Sequence, residues 1–316
     1  MNEPRTPLAA EPEAAAALDS AAASTPGPGP GPGKRPALGP VSLVVSGVLS
    51  VQFGAAIAVL LMPRAGAIGV VTLRLVLAAL VLLVVCRPKV RGHSRADWGT
   101  VVAFGGTLAA MNMLFYQAAD RIPLGAAVTF EVLGPLVLSV IVSRRLMNLA
   151  WAGLALGGVL LLSGGGFDRL DPVGAGFAVA AGGMWAAYIV FSARTGRRFP
   201  QADGLALAMG VGAVLSLPLG IAEAGSKLLV PSTIGLGLAV ALMSSVLPYT
   251  LELLALRRLP TSTFAVLMSL EPAIAAAAGF FLLDQALSTI DALAITLVIA
   301  ASMGAVRTQT ARKAKR

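Results

Sequence analysis

The chain has 316 residues, of which 57% are hydrophobic and only 12% charged, with a mean hydropathy of +0.83. A soluble domain carries roughly 25% charged residues, so there is too little polar surface here to cover a water-exposed globule. The net charge of +9 is scattered over short loops, which argues against nucleic acid as a partner and for the basic cytoplasmic loops of a membrane protein. A single cysteine and a single histidine exclude an internal disulfide, most metal sites and any histidine relay inside the membrane.

Residues 1–40 form a regime of their own. They hold Glu3, Glu11, Glu13 and Asp19, an alanine run and a Pro-Gly alternation from Pro26 to Gly33. Such a segment makes neither a helix nor a core, and no apolar run precedes a cleavage site. A disordered cytoplasmic tail is expected.

From Val41 on, apolar runs follow one another with short breaks. Measured against the roughly 20 residues a helix needs to cross hydrocarbon, they predict ten spans. These are 41–62, 66–86, 99–118, 124–143, 149–166, 173–193, 203–222, 233–254, 261–282 and 289–305. Alternating polarity is absent, which leaves helices as the spanning element. With the N-terminus inside, the outer loops hold only Arg64, Arg121, Arg169 and Lys227. Apart from Arg74, within a span, every other Lys and Arg falls on the cytoplasmic side, including those of the basic tail 306–316. That asymmetry supports both termini in the cytoplasm.

One segment occurs twice. Arg121-Ile122-Pro123 is followed, twelve residues past its proline, by Gly134-Pro135; Arg258-Leu259-Pro260 is followed at the same distance by Glu271-Pro272. A weaker echo links Phe53-Gly54-Ala55-Ala56 with Trp185-Ala186-Ala187-Tyr188. Five spans in 41–166 and five in 173–305 give halves of opposite orientation, an inverted repeat with its pseudo-axis in the membrane plane. The expected fold is an all-α integral membrane protein with ten transmembrane helices in a five-plus-five inverted repeat.

Charged groups at membrane depth are expensive and usually functional or paired. Arg74 lies eight residues into the second span, about 12 Å deep at 1.5 Å per residue. It either orients its helix, anchors a substrate carboxylate or pairs with Glu131. Glu131 and Asn112 come to a similar depth, so the three could form one polar layer. Glu131 could close a structural ion pair or serve as a proton or substrate site, since a carboxyl withdrawn from water is suited to exchanging a proton. Glu271 precedes Pro272 at mid-span, where it could instead bond to a neighbouring helix. Glu252, just before Arg257 and Arg258, fits the inner interface. Pro135, Pro248 and Pro272 are candidate kinks. Gln52, Tyr116, Gln117, Trp185, Tyr188 and Tyr249 could line a cavity, although Tyr116 and Gln117 fit an outer aromatic belt equally well.

Six stretches carry a family resemblance. Asn112-Met113-Leu114-Phe115-Tyr116-Gln117, Arg121-Ile122-Pro123-Leu124-Gly125 and Glu131-Val132-Leu133-Gly134-Pro135-Leu136 resemble the EamA-type drug/metabolite transporters, closest to their threonine/homoserine exporter branch. Leu247-Pro248-Tyr249-Thr250-Leu251-Glu252, Arg257-Arg258-Leu259-Pro260 and Val266-Leu267-Met268-Ser269-Leu270-Glu271-Pro272 fit the same branch. The resemblance covers about residues 41–305. It implies a bacterial inner-membrane protein that exports small amino acids or related metabolites by alternating access, driven by the proton gradient and without a cofactor. The general pattern ends the fourth and ninth helices in Gly-Glu, whereas here they end in Ser143-Arg144-Arg145 and Leu283-Asp284.

Other classes find less support. No phosphate-binding Gly-x-x-x-x-Gly-Lys-Ser/Thr occurs. An intramembrane enzyme would need His-Glu-x-x-His, Gly-x-Gly-Asp or a buried nucleophile–base pair, and none is present in the sequence. A channel would more naturally show rings of one repeated polar side chain.

Overall fold

The computed structural model describes residues 38–143, 146–162, 171–199, 203–256, 264 and 267–313. The tail up to residue 37, the pair Arg144-Arg145, the loop with Arg169 and the second repeat copy Arg258-Leu259-Pro260 lie outside the described residues.

The described residues are helical, with no strand among them. Helix α1 spans Leu38–Cys86 and α2 Arg95–Ala119. Two short helices follow in one line, α3 (Leu124–Glu131) and α4 (Leu133–Ser143), then α5 (Leu146–Leu162), α6 (Pro172–Gly196) and α7 (Asp203–Ala224). A 3-10 turn over Gly225–Leu229 leads into α8 (Pro231–Ala241), a π-helical turn (Leu242–Val246) and α9 (Leu247–Leu256). The described chain closes with α10 (Glu271–Leu283) and α11 (Thr289–Lys313). Helix α11 thus runs on through most of the expected basic tail, whose Ala, Arg, Gln and Lys are good helix formers.

Five described stretches are long and apolar enough to cross a bilayer: Gly39–Cys86, Arg95–Ala119, Pro172–Gly196, Asp203–Leu229 and Pro231–Glu252. Shorter apolar helices cover Leu124–Leu138, Ala150–Val159, Glu271–Leu283 and Thr289–Gly304. The outer surface is apolar, with Val85 73%, Phe281 69% and Val214 67% exposed. A surface of that kind suits lipid rather than water.

Helix α1 consists of two helical arms that meet at a sharp kink at Gly66 (φ 71°, ψ 166°). Pro63 removes one ladder donor, and glycine alone tolerates this backbone geometry cheaply. The break exposes fresh amide donors at the start of the second arm. Glu223, at the end of α7, fills that need, its Oε2 accepting from the Gly69 N–H at 2.7 Å. A side chain at Gly66 would collide with the same carboxylate.

The interior is alanine-rich. Ala56, Ala58, Ala78, Ala127, Ala178, Ala206, Ala241, Ala275 and Ala278 all belong to one buried cluster with Leu75, Leu108 and Tyr116. Small side chains let helix backbones approach closely in lipid, where no hydrophobic drive pushes them together. Helix α1 packs on α7, α8, α9 and α10; α2 packs on α6 and α7; α3 packs on α6 and α10; α5 packs on α11.

Candidate functional site

Pro248 organises the first element of the site. Lacking an N–H, it cannot bond to a carbonyl one helical turn earlier. The strain is taken up as the π-helical turn, in which Leu247 N–H reaches back to Leu242 O. The carbonyls of Met243 and Ser244 are captured by side chains from α1. Ser50 donates to Met243 O at 2.6 Å, and the Arg74 Nη2 donates to Ser244 O at 2.8 Å. Helix α1 can come this close because residue 54 is glycine; a Cβ there would run into Ser244 and Met243.

Arg74 is only 8% exposed. Besides Ser244 O, its Nε donates to Ser245 Oγ at 3.1 Å and its Nη1 to Tyr116 Oη at 3.1 Å. The guanidinium also lies 5.7 Å from the Tyr116 ring centre. A buried cation is tolerable only when hydrogen-bonded and paired, and three of its five N–H donors are accounted for by these contacts. No ion pair within 4.0 Å joins Arg74 to a carboxylate among the described residues. The closed Arg74–Glu131 bridge weighed from sequence is therefore not formed, although Glu131 is within electrostatic reach of the guanidinium.

The second element is the crossing of α3 and α10. A Cβ on Gly125 would strike Ala276, so these two backbones touch. Gln285 reaches back from the end of α10, its Oε1 accepting from the Leu124 N–H at 3.0 Å and capping α3. Leu124 also lies beside Gly279. Rising numbers on α3 thus meet falling numbers on α10, an antiparallel register that carries Glu131 towards Glu271. Glu271 lies within electrostatic reach of both Glu131 and Glu252.

Each acid sits at a proline-made break. Pro135 leaves the Glu131 carbonyl without its helical donor, and the helix is interrupted at Val132 between α3 and α4. Gly182 of α6 presses on that point; a Cβ on Gly182 would meet Glu131 O at 2.5 Å, and one on Gly134 would meet the Gly182 carbonyl. On the other side, α10 begins at Glu271 with Pro272 next, after a turn at Ser269 and Leu270.

The remaining sequence candidates distribute as follows. Asn112 is buried, and its amide donates to Leu108 O at 2.8 Å within its own helix. Gln52 is 3% exposed, and its Oε1 has no hydrogen-bond partner. Trp185 packs against the central alanine-rich cluster. Tyr188 stacks on Phe104 at 5.2 Å. Pro248 is buried; the side chain of Tyr249 lies outside the described residues.

Two placements bear on readings the sequence left open. Tyr116 is wholly buried and bonded to Arg74, which fits the interior reading rather than the aromatic belt. Glu252 lies against α1 near Gly47, within electrostatic reach of Glu271. Ser50, Ser244 and Ser245 were not singled out from sequence. The signal for Ser244 was present in its spacing, four residues before Pro248.

The model of the EamA-like transporter family matches residues 172–307. The threonine/homoserine exporter RhtA of Escherichia coli (strain K12) is 40% identical over 282 residues, spanning 89% of this chain and 95% of its own. Its namesake from Salmonella typhimurium (strain SL1344) is 39% identical over 277 residues, spanning 87% and 94%. One crystal structure, described only as that of a protein, matches with a TM-score of 0.56 at 20% identity over 87% of this chain and 99% of its own, a likeness of fold alone. The named relatives are exporters, and the chain is a transporter and not an enzyme. The chain belongs to the EamA-like transporter family, in its threonine/homoserine exporter branch.

Proposed function

We propose that this protein is a secondary active transporter of the bacterial inner membrane that exports small amino acids of the threonine or homoserine kind. Two five-helix halves, residues 41–166 and 173–305, alternate access around the site described above, with both termini in the cytoplasm. The relatives' names support the substrate class, and the loop charges support the orientation.

The observation that carries the mechanism is the antiparallel crossing of α3 and α10, which carries Glu131 towards Glu271. Glu271 is 7% exposed and within electrostatic reach of Glu131 and Glu252, and Arg74 is within reach of Glu131. Ionised together, the carboxylates leave the site short of positive charge, and a buried charge without a partner costs several kcal/mol. The missing charge is supplied by protons or by a bound ammonium group. A zwitterionic amino acid offers an ammonium for the acids and a carboxylate for the side of the site where Arg74 stands.

Exchange between proton and ammonium then couples the two fluxes. When the substrate leaves on the outer side, the acids take up protons; when the site reopens inwards, the protons leave and the next ammonium enters. The proline breaks beside both acids give the helices a place to bend.

The test is efflux of labelled threonine from proteoliposomes under an imposed pH gradient. Glu131→Gln and Glu271→Gln are each expected to lower the gradient-driven rate by at least about tenfold, some 1.4 kcal/mol in the barrier. Both variants should still elute as folded protein. Unchanged gradient-driven efflux in both would remove the carboxylates from the coupling.

A further inference from the structure

We propose that the groove between the start of α2 and the end of α6 binds the headgroup of an anionic phospholipid. The groove has a volume of about 510 Å³, and its lining includes Gly99 and Ala103 from α2, Phe191 and Arg194 from α6, and Arg197 and Arg198 just past its end. It lies away from the acid site, at the helix ends.

Its lining combines two chemistries. Arg194, Arg197 and Arg198 supply positive charge, and Gly99, Ala103 and the Phe191 ring supply small and apolar surface. Arg194 lies 5.7 Å from the Phe191 ring centre, which holds its guanidinium against the groove. Val102, beside Gly99 and Ala103, is 50% exposed, so this face of α2 is not covered by another helix. A phosphodiester with acyl chains matches both chemistries of such a lining; a free anion matches only the arginines.

The surrounding charge points the same way. The His93 ring packs on Phe199 at 4.3 Å between centres, folding the loop before α2 over the end of α6. Arg87, Lys89, Arg91 and Arg95 are thereby gathered at the same end as the three arginines. Among the described residues, the carboxylates at this end are Asp97, which is bonded to Arg198 at 3.1 Å and to Ser94, and Asp203 at the start of α7. Basic pockets between transmembrane helices attract anionic headgroups through this kind of surplus. By the loop-charge rule this end faces the cytoplasmic leaflet.

Native mass spectrometry of the full chain, released from detergent with phosphatidylglycerol or phosphatidylethanolamine, tests this directly. The wild type is expected to retain phosphatidylglycerol in preference to phosphatidylethanolamine. Arg194→Gln/Arg197→Gln, which leaves the Arg198–Asp97 pair intact, should weaken retention about tenfold or more, the size expected for two cations near a lipid surface. Ala103→Trp, which fills the apolar wall without changing charge, should do the same, and Arg307→Gln on α11 should not. Equal retention of the two lipids, or undiminished retention in Ala103→Trp, would overturn the proposal. So would displacement of phosphatidylglycerol by millimolar inorganic phosphate, which would make the groove a site for a free anion. If the double variant does not fold, Ala103→Trp alone decides the matter.

Discussion

The two proline-broken helices carry their acids differently. When Pro135 is set against Pro272, Gly134 corresponds to Glu271, yet the first segment keeps its glutamate three residues earlier, at Glu131. The structure gives the reason. Position 134 has no room for any side chain, because the Gly182 carbonyl of α6 occupies the space a Cβ would need. Glu131 stands before the interruption at Val132, and the crossing of α3 with α10 carries it towards Glu271. The two proline-broken helices thus bring an acid to one region from different positions relative to the proline. Close packing of α6 on the break decided which of the two could keep a side chain beside the proline.

That contrast can be broken in several ways. The largest expected effect comes from Arg74, which ties α1 to the Pro248 break. Arg74→Gln leaves buried acceptors and carboxylates uncompensated and should destabilise the protein by about 3–5 kcal/mol, read as lost thermal stability in detergent. Next is Gly134→Ala, which forces a methyl group against the Gly182 backbone. A cost of about 1–3 kcal/mol is expected, with more if α6 cannot retreat, whereas Glu271→Ala introduces no such clash. Pro248→Ala restores a backbone donor that competes with Arg74 for Ser244 O. About 1 kcal/mol is expected, together with a straighter α8–α9 junction in a structure of the variant. The smallest effect is Gln285→Ala, which uncaps Leu124 at the start of α3 for about 1 kcal/mol in the same thermal assay. An Arg74 variant no less stable than the Gln285 variant would reverse the ranking and the reasoning behind it.

Much of the frame was readable from the residues. The apolar runs located the described helices to within a few residues at most ends, and the gap left between residues 62 and 66 falls at the break in α1. Arg74, Glu131 and Glu271 stood out because a charge inside an apolar run has few cheap explanations. What stayed hidden depends on long-range approach. Glu223 looks like an ordinary helix-end acid until α7 brings it to Gly69, and Gln285 like a loop residue until it reaches Leu124. The inward turn of Tyr116 was not readable either, since α2 has apolar or small residues on several faces and its periodicity does not choose one. Local spacing reveals which carbonyls a proline frees; only the folded chain shows which donors arrive to meet them.

The central claim is that Glu131 and Glu271 act as one site shared between the halves. A double-mutant cycle on gradient-driven threonine efflux tests it most directly, using Glu131→Gln, Glu271→Gln and the pair together. One shared site requires the double variant to be about as impaired as either single variant, because the first substitution already disables the exchange. If the two losses multiply, with each variant removing its own independent share of the rate, the carboxylates work separately and the shared site does not exist.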